Sequence, residues 1–320
     1  MREPPETLRA LAPAKINLGL FLGPVRERDG RHELATVMQS ISLADELTLG
    51  PAPPGVEHDT VLCPGVPGPP EQNLAARALH EFRVATGWDG PPVRLSIEKR
   101  IPLAAGLAGG SADAAAALRL AQAASGIGNE ALLLEIATGL GADVPAQVSP
   151  GRWLAGGAGE RLEALPAPTQ PFGVLILPAG FELSTAAVYA EADRLGLGRE
   201  AEQLEVLHDD LRAALATGAP LPAAGEMLHN DLQRAAVSLR PEIAETLRLA
   251  TRAGGAYALV SGSGPTVLGL FSKAGEEGLA LARLAAAGLS EQLPETLCAV
   301  PVAGAFGQVM AVAPGDPPAG

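Results

Sequence analysis

The sequence predicts two α+β domains that meet near residue 165. Strand patterns alternate with pairs of helix patterns in both halves of the chain, and no internal repeat relates the halves. At 320 residues the chain is long enough for two domains with a proper hydrophobic core. We therefore expect one domain over residues 1–165, a second over 166–312, and a loose tail at 313–320.

The acidic composition argues against two classes of partner. The chain has 36 acidic and 23 basic residues and a net charge of -13. Such a surface repels both nucleic acid and anionic membrane, so we expect neither as a partner. Hydrophobic residues make up 47% of the chain but aromatic residues only 3%, so alanine, leucine and valine must fill the core.

Two cysteines and the first residues bear on the cellular compartment. Cys63 and Cys298 lie far apart and fit no metal-ligand spacing, which favours two thiols in a reducing compartment. The first apolar stretch is broken by Lys15 and does not match a signal peptide. The uncharged run 253–272 contains several glycines and Pro265, which favour a strand–turn–strand over a membrane helix. The sequence predicts a cytoplasmic protein.

In the first half, apolar runs predict strands and periodic apolar faces predict helices. Asn73 and Asn129 are the predicted caps of two helices, and Asp45 is predicted to lie at a bend between two strands. The Pro- and Gly-rich segment 51–70 is predicted to be a surface excursion. The predicted strands are 16–25, 33–42, 46–49 and 93–97, and the predicted helices are 74–85, one that opens at Ser111, and 130–140.

The second half repeats this alternation with different lengths. A buried strand pattern opens it, and two short strands flank a glycine-rich turn near its end. The predicted strands are 172–177, 256–260, 266–271 and 297–302, and the predicted helices are 185–195, 202–214, 223–238, 241–253 and 275–287.

The glycine-rich stretch before the predicted helix at Ser111 has the character of a phosphate site. Gly106, Gly109 and Gly110 lack Cβ atoms, so backbone N–H groups can approach an anion at the positive end of a helix. Ser111 can cap the helix and offer its hydroxyl to a phosphate or to Mg²⁺. The stretch matches neither standard nucleotide fingerprint, and tight helix packing would explain the same glycines. Both interpretations stay open on this stretch alone.

Three segments considered together favour the first interpretation. Pro13–Leu18, Pro102–Ser111 and Val260–Thr266 occur in this order, and together they resemble the three motifs of the GHMP superfamily of small-molecule kinases. Two further segments, Arg28–Leu34 and Leu140–Pro145, are similar to those of its 4-diphosphocytidyl-2-C-methyl-D-erythritol kinase family. The resemblance covers nearly the whole chain, and five motifs in order are specific.

The resemblance implies both a fold and an activity. The fold would be the two-domain α+β GHMP kinase fold, with a ribosomal-protein-S5-like N-terminal domain, a ferredoxin-like C-terminal domain and the active site in the cleft between them. The activity would be ATP-dependent phosphorylation of the 2-hydroxyl of a cytidine-diphosphate methylerythritol, with ATP and Mg²⁺ as cofactors, in a monomer or weak homodimer. The alternatives are a GHMP kinase for homoserine, a sugar or mevalonate, and a non-catalytic metabolite sensor.

The same resemblance implies the catalytic residues. Asp143 would be the general base and Lys15 would steady the reacting hydroxyl and the moving phosphoryl group, although an Asp before Val-Pro is ordinarily a turn or cap residue. A lysine inside an apolar strand is costly unless it is paired, which favours the functional interpretation of Lys15. Asn17 lies two residues further along the predicted strand and therefore projects from the same face.

Substrate residues follow from the resemblance as well. His32 would hydrogen-bond the cytosine ring, Tyr189 would stack on it, and Thr185 would lie near the sugar. Arg31 stands where the family usually has a tyrosine, and a guanidinium can also stack on a base. The other predicted substrate residues are Ser261, Gly262 and Ser263, and the predicted nucleotide residues are Pro102, Leu103, Ala104, Ala105, Gly106, Leu107, Ala108, Gly109, Gly110, Ser111 and Ala112.

Overall fold

The computed structural model describes residues 6–221, 227–273, 276–293 and 295–312. Its strands are β1 (Leu8–Val25), β2 (His32–Pro51), β3 (Thr60–Leu62), β4 (Val93–Glu98), β5 (Arg152–Gly156), β6 (Arg161–Leu165), β7 (Gly173–Leu177), β8 (Tyr257–Val260), β9 (Val267–Phe271), β10 (Leu297–Ala299) and β11 (Met310–Ala311). Its helices are α1 (Leu74–Thr86), α2 (Gly109–Ser125), α3 (Glu130–Leu140), α4 (Val144–Val148), α5 (Thr185–Arg194), α6 (Ala201–Leu215), α7 (Gln233–Leu239), α8 (Glu242–Arg252) and α9 (Glu276–Leu289).

The first sheet is built around two long antiparallel strands, β1 and β2. It has seven strands in the order β11-β1-β2-β4-β3, with β5 paired to β2 and β6 paired to β5. Helices α1 to α3 cover one face, where an apolar cluster includes Leu47, Leu95 and Phe82. The buried side of α2 consists mainly of alanines, so this helix can pack closely on the sheet.

The second sheet has four antiparallel strands in the order β10-β7-β9-β8. Numbered along the chain, this order is 4-1-3-2, with α8 before the second strand and α9 before the fourth, which is the arrangement of a ferredoxin-like domain. The predicted C-terminal ferredoxin-like fold is therefore confirmed. Val174, Leu268 and Leu270 of this sheet share a buried cluster with Ile16 and Leu18 of β1, so the two domains pack on a common core.

Two elements of the second half return to the first domain. Helix α6 buries Leu204 and Leu211 in the core that contains Ile16 of β1. Strand β11 pairs with the start of β1, where Leu8 lies opposite Ala311. The chain therefore crosses between the domains after residue 165, and the boundary near that residue stays a prediction. The predicted loose tail, 313–320, lies outside the described residues.

The predicted bend at Asp45 is wrong. Strand β2 continues through Asp45, which pairs with Ala12 across the sheet. Asp45 is fully buried, and its Oδ1 atom accepts hydrogen bonds from the backbone N–H groups of Arg100 and Ile101. A satisfied carboxylate can occupy the middle of a strand, so its polarity does not mark a turn.

The helix predicted over 223–238 is also wrong in part. Residues 222–226 lie outside the described part of the chain, and the helix that is observed, α7, begins only at Gln233. Before it, Asn230 forms a bridge to Leu20 of β1. The polar run His229, Asn230 and Asp231 therefore contacts strand β1 of the first domain, although its sequence pattern had predicted a helix.

Other expectations are confirmed. The Asn73 and Asn129 side chains cap α1 and α3 by accepting hydrogen bonds from backbone N–H groups. Cys63 and Cys298 are free, half-buried thiols. Within the described ranges, no helix has the length and apolar character needed to cross a membrane, and the run 253–272 ends in the hairpin of β8 and β9.

Candidate active site

A cavity of about 950 Å³ is lined by residues of both domains. It collects side chains from β1, β2 and α5, the stretch between β4 and α2, and the turn between β8 and β9. Most of the residues predicted from the sequence lie in this lining, namely Lys15, Asn17, Arg31, His32, all of 102–110, Asp143, Thr185, Tyr189, Gly262 and Ser263.

At the centre of the cavity Lys15 faces Asp143, with 3.6 Å between Lys15 Nζ and Asp143 Oδ1. Lys15 is buried in β1, but 38% of the Asp143 side chain is exposed. Asp143 directly precedes α4, yet its side chain makes no capping hydrogen bond to that helix. Asp143 therefore does not cap the helix, as an Asp before Val-Pro ordinarily would, and its carboxylate is free to contact a ligand.

A hydrogen-bond chain orients the ammonium group of Lys15. Lys15 Nζ donates to Asn17 Oδ1 at 2.9 Å, and Asn17 Nδ2 donates to Thr36 Oγ1 at 2.8 Å. Thr36 Oγ1 donates in turn to the Gly19 carbonyl at 2.6 Å. All of these side chains are buried, so each link is satisfied and holds the next in place.

The stretch 102–108 is an irregular loop that leads into α2 at Gly109. Ala108 takes the capping position with φ 55° and has no side-chain cap, so the first N–H groups of α2 are available to an anion. Ser111 was expected to cap this helix. That expectation is wrong, because Ser111 lies in the first turn, inside the helix rather than before it.

The loop, strand β1 and the glycine-rich turn 261–264 contact one another closely. The Lys15 N–H donates to the Leu107 carbonyl at 3.1 Å, and Ser261 Oγ donates to the Gly106 carbonyl at 3.1 Å. Gly106 has φ +74°, and a Cβ atom there would lie 2.7 Å from the Ser261 carbonyl oxygen and 2.8 Å from that of Gly264. The approach therefore requires glycine at this position.

The resemblance to the GHMP kinases implies that this loop binds ATP, so Gly106→Ala is expected to raise the KM for ATP at least about tenfold, because the added Cβ would push the loop from the turn and misplace its N–H groups. Steady-state kinetics with varied ATP would measure it. Gly139→Ala in α3 is the control, because a Cβ there meets no atom within 4 Å. An unchanged KM for ATP in Gly106→Ala would mean that the loop does not bind the nucleotide.

Three predicted site residues do not line the cavity within the described chain. Ser111 and Ala112 lie inside α2, and Ala112 is buried. Ser261 is fully buried and bonds to the loop. Ser261 therefore positions the loop and does not itself contact the substrate. Ser111 is half-buried in the first turn of α2, next to Gly110, which lines the cavity.

His32 and Tyr189 form one end of the cavity. Their ring centroids lie 5.5 Å apart, with 37° between the ring planes. His32 Nδ1 is 3.0 Å from the Gly23 carbonyl oxygen and His32 Nε2 is 3.0 Å from Asp193 Oδ1. Burial raises the pKa of Tyr189 to about 12, with Asp143 acting in the same direction, so its phenol stays neutral and can donate a hydrogen bond.

Arg31 and Thr185 lie at the rim of this end. Arg31 Nη2 donates to the Ala158 carbonyl at 3.0 Å, which holds the exposed guanidinium beside the cavity. Thr185 Oγ1 lies 2.9 Å from Ser263 Oγ, so the start of α5 is joined to the glycine-rich turn. Thr185 and Ser263 both line the cavity.

Three functional positions were missed by the sequence reasoning. Asp193 lies one helical turn after Tyr189 and lines the cavity, a spacing that could have identified it. Asn230 Nδ2 donates to the carbonyls of Val260 and Gly262 and so fixes the glycine-rich turn. Lys99 also lines the cavity. It follows β4 between other charged residues, and nothing in the sequence sets it apart from an ordinary surface lysine.

Lys99 lies between two buried carboxylates, Asp45 and Asp113. Burial raises the pKa of Asp113 to about 7, with Asp45 acting in the same direction and Lys99 opposing it. Burial would lower the pKa of Lys99, but the two carboxylates outweigh it and the pKa is raised. Lys99 is therefore charged at neutral pH.

Comparisons with known proteins agree with this arrangement. The models of the GHMP kinases N terminal domain and the GHMP kinases C terminal domain match residues 73–151 and 210–289. A 4-diphosphocytidyl-2-C-methyl-D-erythritol kinase of Salinispora tropica is 42% identical over 292 residues, which cover 89% of this chain and 90% of the relative. One from Streptomyces coelicolor is 44% identical over 259 residues, which cover 79% and 84%.

Solved structures show the same fold. The crystal structure of a 4-(cytidine 5'-diphospho)-2C-methyl-D-erythritol kinase superposes with a TM-score of 0.73 at 34% identity, covering 92% of this chain and all of that one. A homoserine kinase from Cytophaga hutchinsonii reaches a TM-score of 0.72 at only 17% identity, covering 95% and 98%. The second match bears on the fold alone.

Proposed function

This chain belongs to the 4-diphosphocytidyl-2-C-methyl-D-erythritol kinase family of the GHMP kinases, and we propose that it transfers the γ-phosphoryl group of ATP to the 2-hydroxyl of 4-diphosphocytidyl-2-C-methyl-D-erythritol. The products are the 2-phosphate and ADP, in the non-mevalonate route to isopentenyl diphosphate. The observation that carries the proposal is the Lys15–Asp143 pair, which lies in one cavity with the glycine-rich loop and the His32–Tyr189 end.

Asp143 is the general base in this proposal. Its exposed carboxylate accepts the proton of the 2-hydroxyl while the hydroxyl oxygen bonds to the γ-phosphorus. The bond from the γ-phosphorus to its bridging oxygen breaks in the same step, and that oxygen leaves with ADP. No capping bond competes for the Asp143 side chain, so the carboxylate can turn toward the substrate.

Lys15 supplies positive charge where the reaction concentrates negative charge. Its ammonium, oriented by Asn17, stabilises the attacking oxygen as it loses its proton and the phosphoryl oxygens as they pass between donor and acceptor. Because Lys15 is buried and fixed in advance, little reorganisation is needed at the moment of transfer. Asn17 is proposed to hydrogen-bond the same hydroxyl.

The loop Pro102–Gly110 is proposed to bind the phosphates of ATP through backbone N–H groups, aided by the positive end of α2. Among the described residues, no group of three His, Cys, Asp or Glu side chains is placed to hold a metal. Mg²⁺ would enter with ATP and would neutralise part of the charge of the phosphates. No residue of the described chain is assigned to it.

The base of the substrate is proposed to lie between Tyr189 and Arg31 and to be read by His32. Tyr189 supplies an aromatic face and Arg31 a planar cation at the rim. His32 would read the base through Nε2, because Gly23 occupies Nδ1, and the base would then take the place of Asp193 Oδ1, which lies 3.0 Å from Nε2. Thr185, Gly262 and Ser263 are proposed to contact the sugar and phosphates of the same substrate.

Arg31→Ala is expected to raise the KM for the cytidine substrate several-fold and to leave the KM for ATP unchanged. A cation–π contact of this kind contributes about 0.5–2 kcal/mol. Arg31→Tyr is expected to restore the KM with less sensitivity to salt, because a ring contact is not screened. Arg28→Ala is the control, since Arg28 is exposed and contacts Glu160 instead. A wild-type KM for Arg31→Ala at low salt would show that Arg31 faces solvent.

A coupled assay of ADP release tests the function as a whole. We expect turnover with 4-diphosphocytidyl-2-C-methyl-D-erythritol and none with homoserine, mevalonate or a simple sugar at equal concentration. Turnover with one of those acceptors alone would identify a different GHMP kinase. ATP binding without turnover on any acceptor would identify a non-catalytic sensor.

The domain bounds, the cellular compartment and the oligomeric state of the protein are also proposed. The two matched family models fall on either side of residue 165, in support of domains at 1–165 and 166–312. Free thiols at Cys63 and Cys298 suit the reducing conditions of the cytoplasm. We propose a monomer or weak homodimer, which light scattering at several concentrations would test.

A further inference from the structure

Three buried ionisable side chains lie together beside the phosphate loop (Pro102–Gly110) and take no part in the catalytic step described above. Lys99 Nζ donates to Asp45 Oδ2, and to Asp113 Oδ2 at 2.7 Å. The side chains of Asp45, Asp113 and Lys99 are 0%, 4% and 12% exposed. Such buried ionic groups are often less stabilising than apolar residues of similar size, so stability alone does not explain them.

The cluster joins the two ends of the phosphate loop. Asp45 Oδ1 accepts hydrogen bonds from the backbone N–H groups of Arg100 at 2.6 Å and Ile101 at 2.8 Å, immediately before Pro102. Asp113 lies near the start of α2, just after the loop. Lys99 bonds to both carboxylates, so its ammonium connects the entry of the loop to its exit.

Lys99 holds the end of the phosphate loop that leads into α2. The Oδ1 atom of Asp113 has no hydrogen-bond partner among the described residues, and its Oδ2 atom accepts the bond from Lys99 Nζ. The Lys99 ammonium also lies next to the first residue of α2, since a Cβ on Gly109 would be 3.3 Å from Lys99 Nζ. Removal of the ammonium would break the bond to Asp113 and leave a space beside Gly109.

The loop itself is strained and needs such an anchor. Ala104 and Ala108 have φ angles of 52° and 55°, in the left-handed region that is unfavourable for a residue with a Cβ atom. Backbone strain of this kind persists only where the surrounding structure fixes the chain on both sides. The bonds of Asp45 and Asp113 to Lys99 lie on the two sides of this strained segment.

We propose that Lys99 is a positioning residue for phosphoryl transfer, which holds the two ends of the phosphate loop together and so fixes the N–H groups at the start of α2 that receive the ATP phosphates. The inference rests on the proposed role of the loop in binding ATP. It assigns Lys99 to the geometry of the nucleotide site and not to the cytidine end of the cavity.

Lys99→Met in the full chain tests the inference. We expect the dissociation constant of ADP by calorimetry, and the KM for ATP, to rise at least about tenfold, because small displacements of binding groups are this costly. The KM for the cytidine substrate should rise much less than the KM for ATP, since its pocket contacts the loop only through β1 and the glycine-rich turn, and Lys99→Arg should recover part of the ADP affinity. Lys273→Met is the matched control, because Lys273 is exposed and pairs with Glu277 on α9.

The double variant Lys99→Met/Asp113→Leu covers the case in which the single variant does not fold. It leaves no charge at position 113 and no donor there that could bond to Asp45, and it keeps the backbone bonds of Asp45. The link across the loop is broken, so the same loss of ADP affinity is expected. Wild-type ADP affinity in either folded variant, or an equal rise in both KM values, would overturn the inference. A wild-type chain that binds ADP but does not phosphorylate the cytidine substrate would contradict the proposed function and leave this binding test intact.

Discussion

Asp143→Asn is expected to lower kcat by about 10²–10⁴, the contribution of a positioned general base. The amide has the shape of the carboxylate but cannot accept the proton of the 2-hydroxyl. The phosphate loop, which is proposed to bind the nucleotide, is a separate part of the chain, so the dissociation constant of ADP should stay near the wild-type value. The coupled assay gives kcat, and calorimetry gives the affinity for ADP.

Asp209→Asn is the matched control for this change, because Asp209 is an exposed carboxylate on α6 whose side chain is 72% accessible. It should keep wild-type kcat and KM. If Asp143→Asn retains more than about a tenth of the wild-type kcat, the loss is too small for a general base, and another group must accept the proton.

Lys15→Met is expected to lower kcat by about 10²–10³, the loss measured when one preorganised donor to transition-state charge is removed. The change also leaves Asn17 Oδ1 without its donor. Because Lys15 and Asp143 are proposed to act on one hydroxyl, their effects should not add. The variant without both groups should be about as slow as the slower single variant, as is found for residues that act as a unit.

Thermal unfolding separates this effect from misfolding. Lys15→Met should unfold within a few degrees of the wild type, since a methionine suits a buried position in β1, and Lys273→Met provides the exposed reference. Full additivity of the two catalytic substitutions would mean that Lys15 and Asp143 act in different steps. A kcat within tenfold of the wild type in Lys15→Met would remove Lys15 from the reaction.

Much of the fold could be predicted because it depends on local signals. Asn73 and Asn129 begin their helices as their side-chain chemistry demands, and the hairpin around Pro265 follows from its glycines. Where a polar residue is satisfied by a distant partner, the local signal misleads. Asp45 resembled a bend but is bonded to Arg100 and Ile101, more than fifty residues away.

In the site, too, residues with a local sequence signal could be predicted, and residues that depend on distant partners could not. Lys15 stands out in the sequence because a charge in an apolar strand demands a partner, and Asp143 is that partner in the structure. Asn230 was concealed because its neighbours continue a helical pattern, although the chain bridges to β1 there. Lys99 could not be identified because its partners come from β2 and α2, and the residues next to Lys99 in the sequence do not indicate either contact.

The contact of β1 with the phosphate loop has a consequence for the order in which ligands bind. The N–H group of Lys15 is bonded to the Leu107 carbonyl, and Gly106 is bonded to Ser261, so the loop cannot shift without moving the strand and the turn. A nucleotide that holds the loop therefore also holds the strand and the turn, which the acceptor must meet. By thermodynamic linkage the acceptor must favour the nucleotide to the same degree, and the two substrates should bind with positive cooperativity inside one chain.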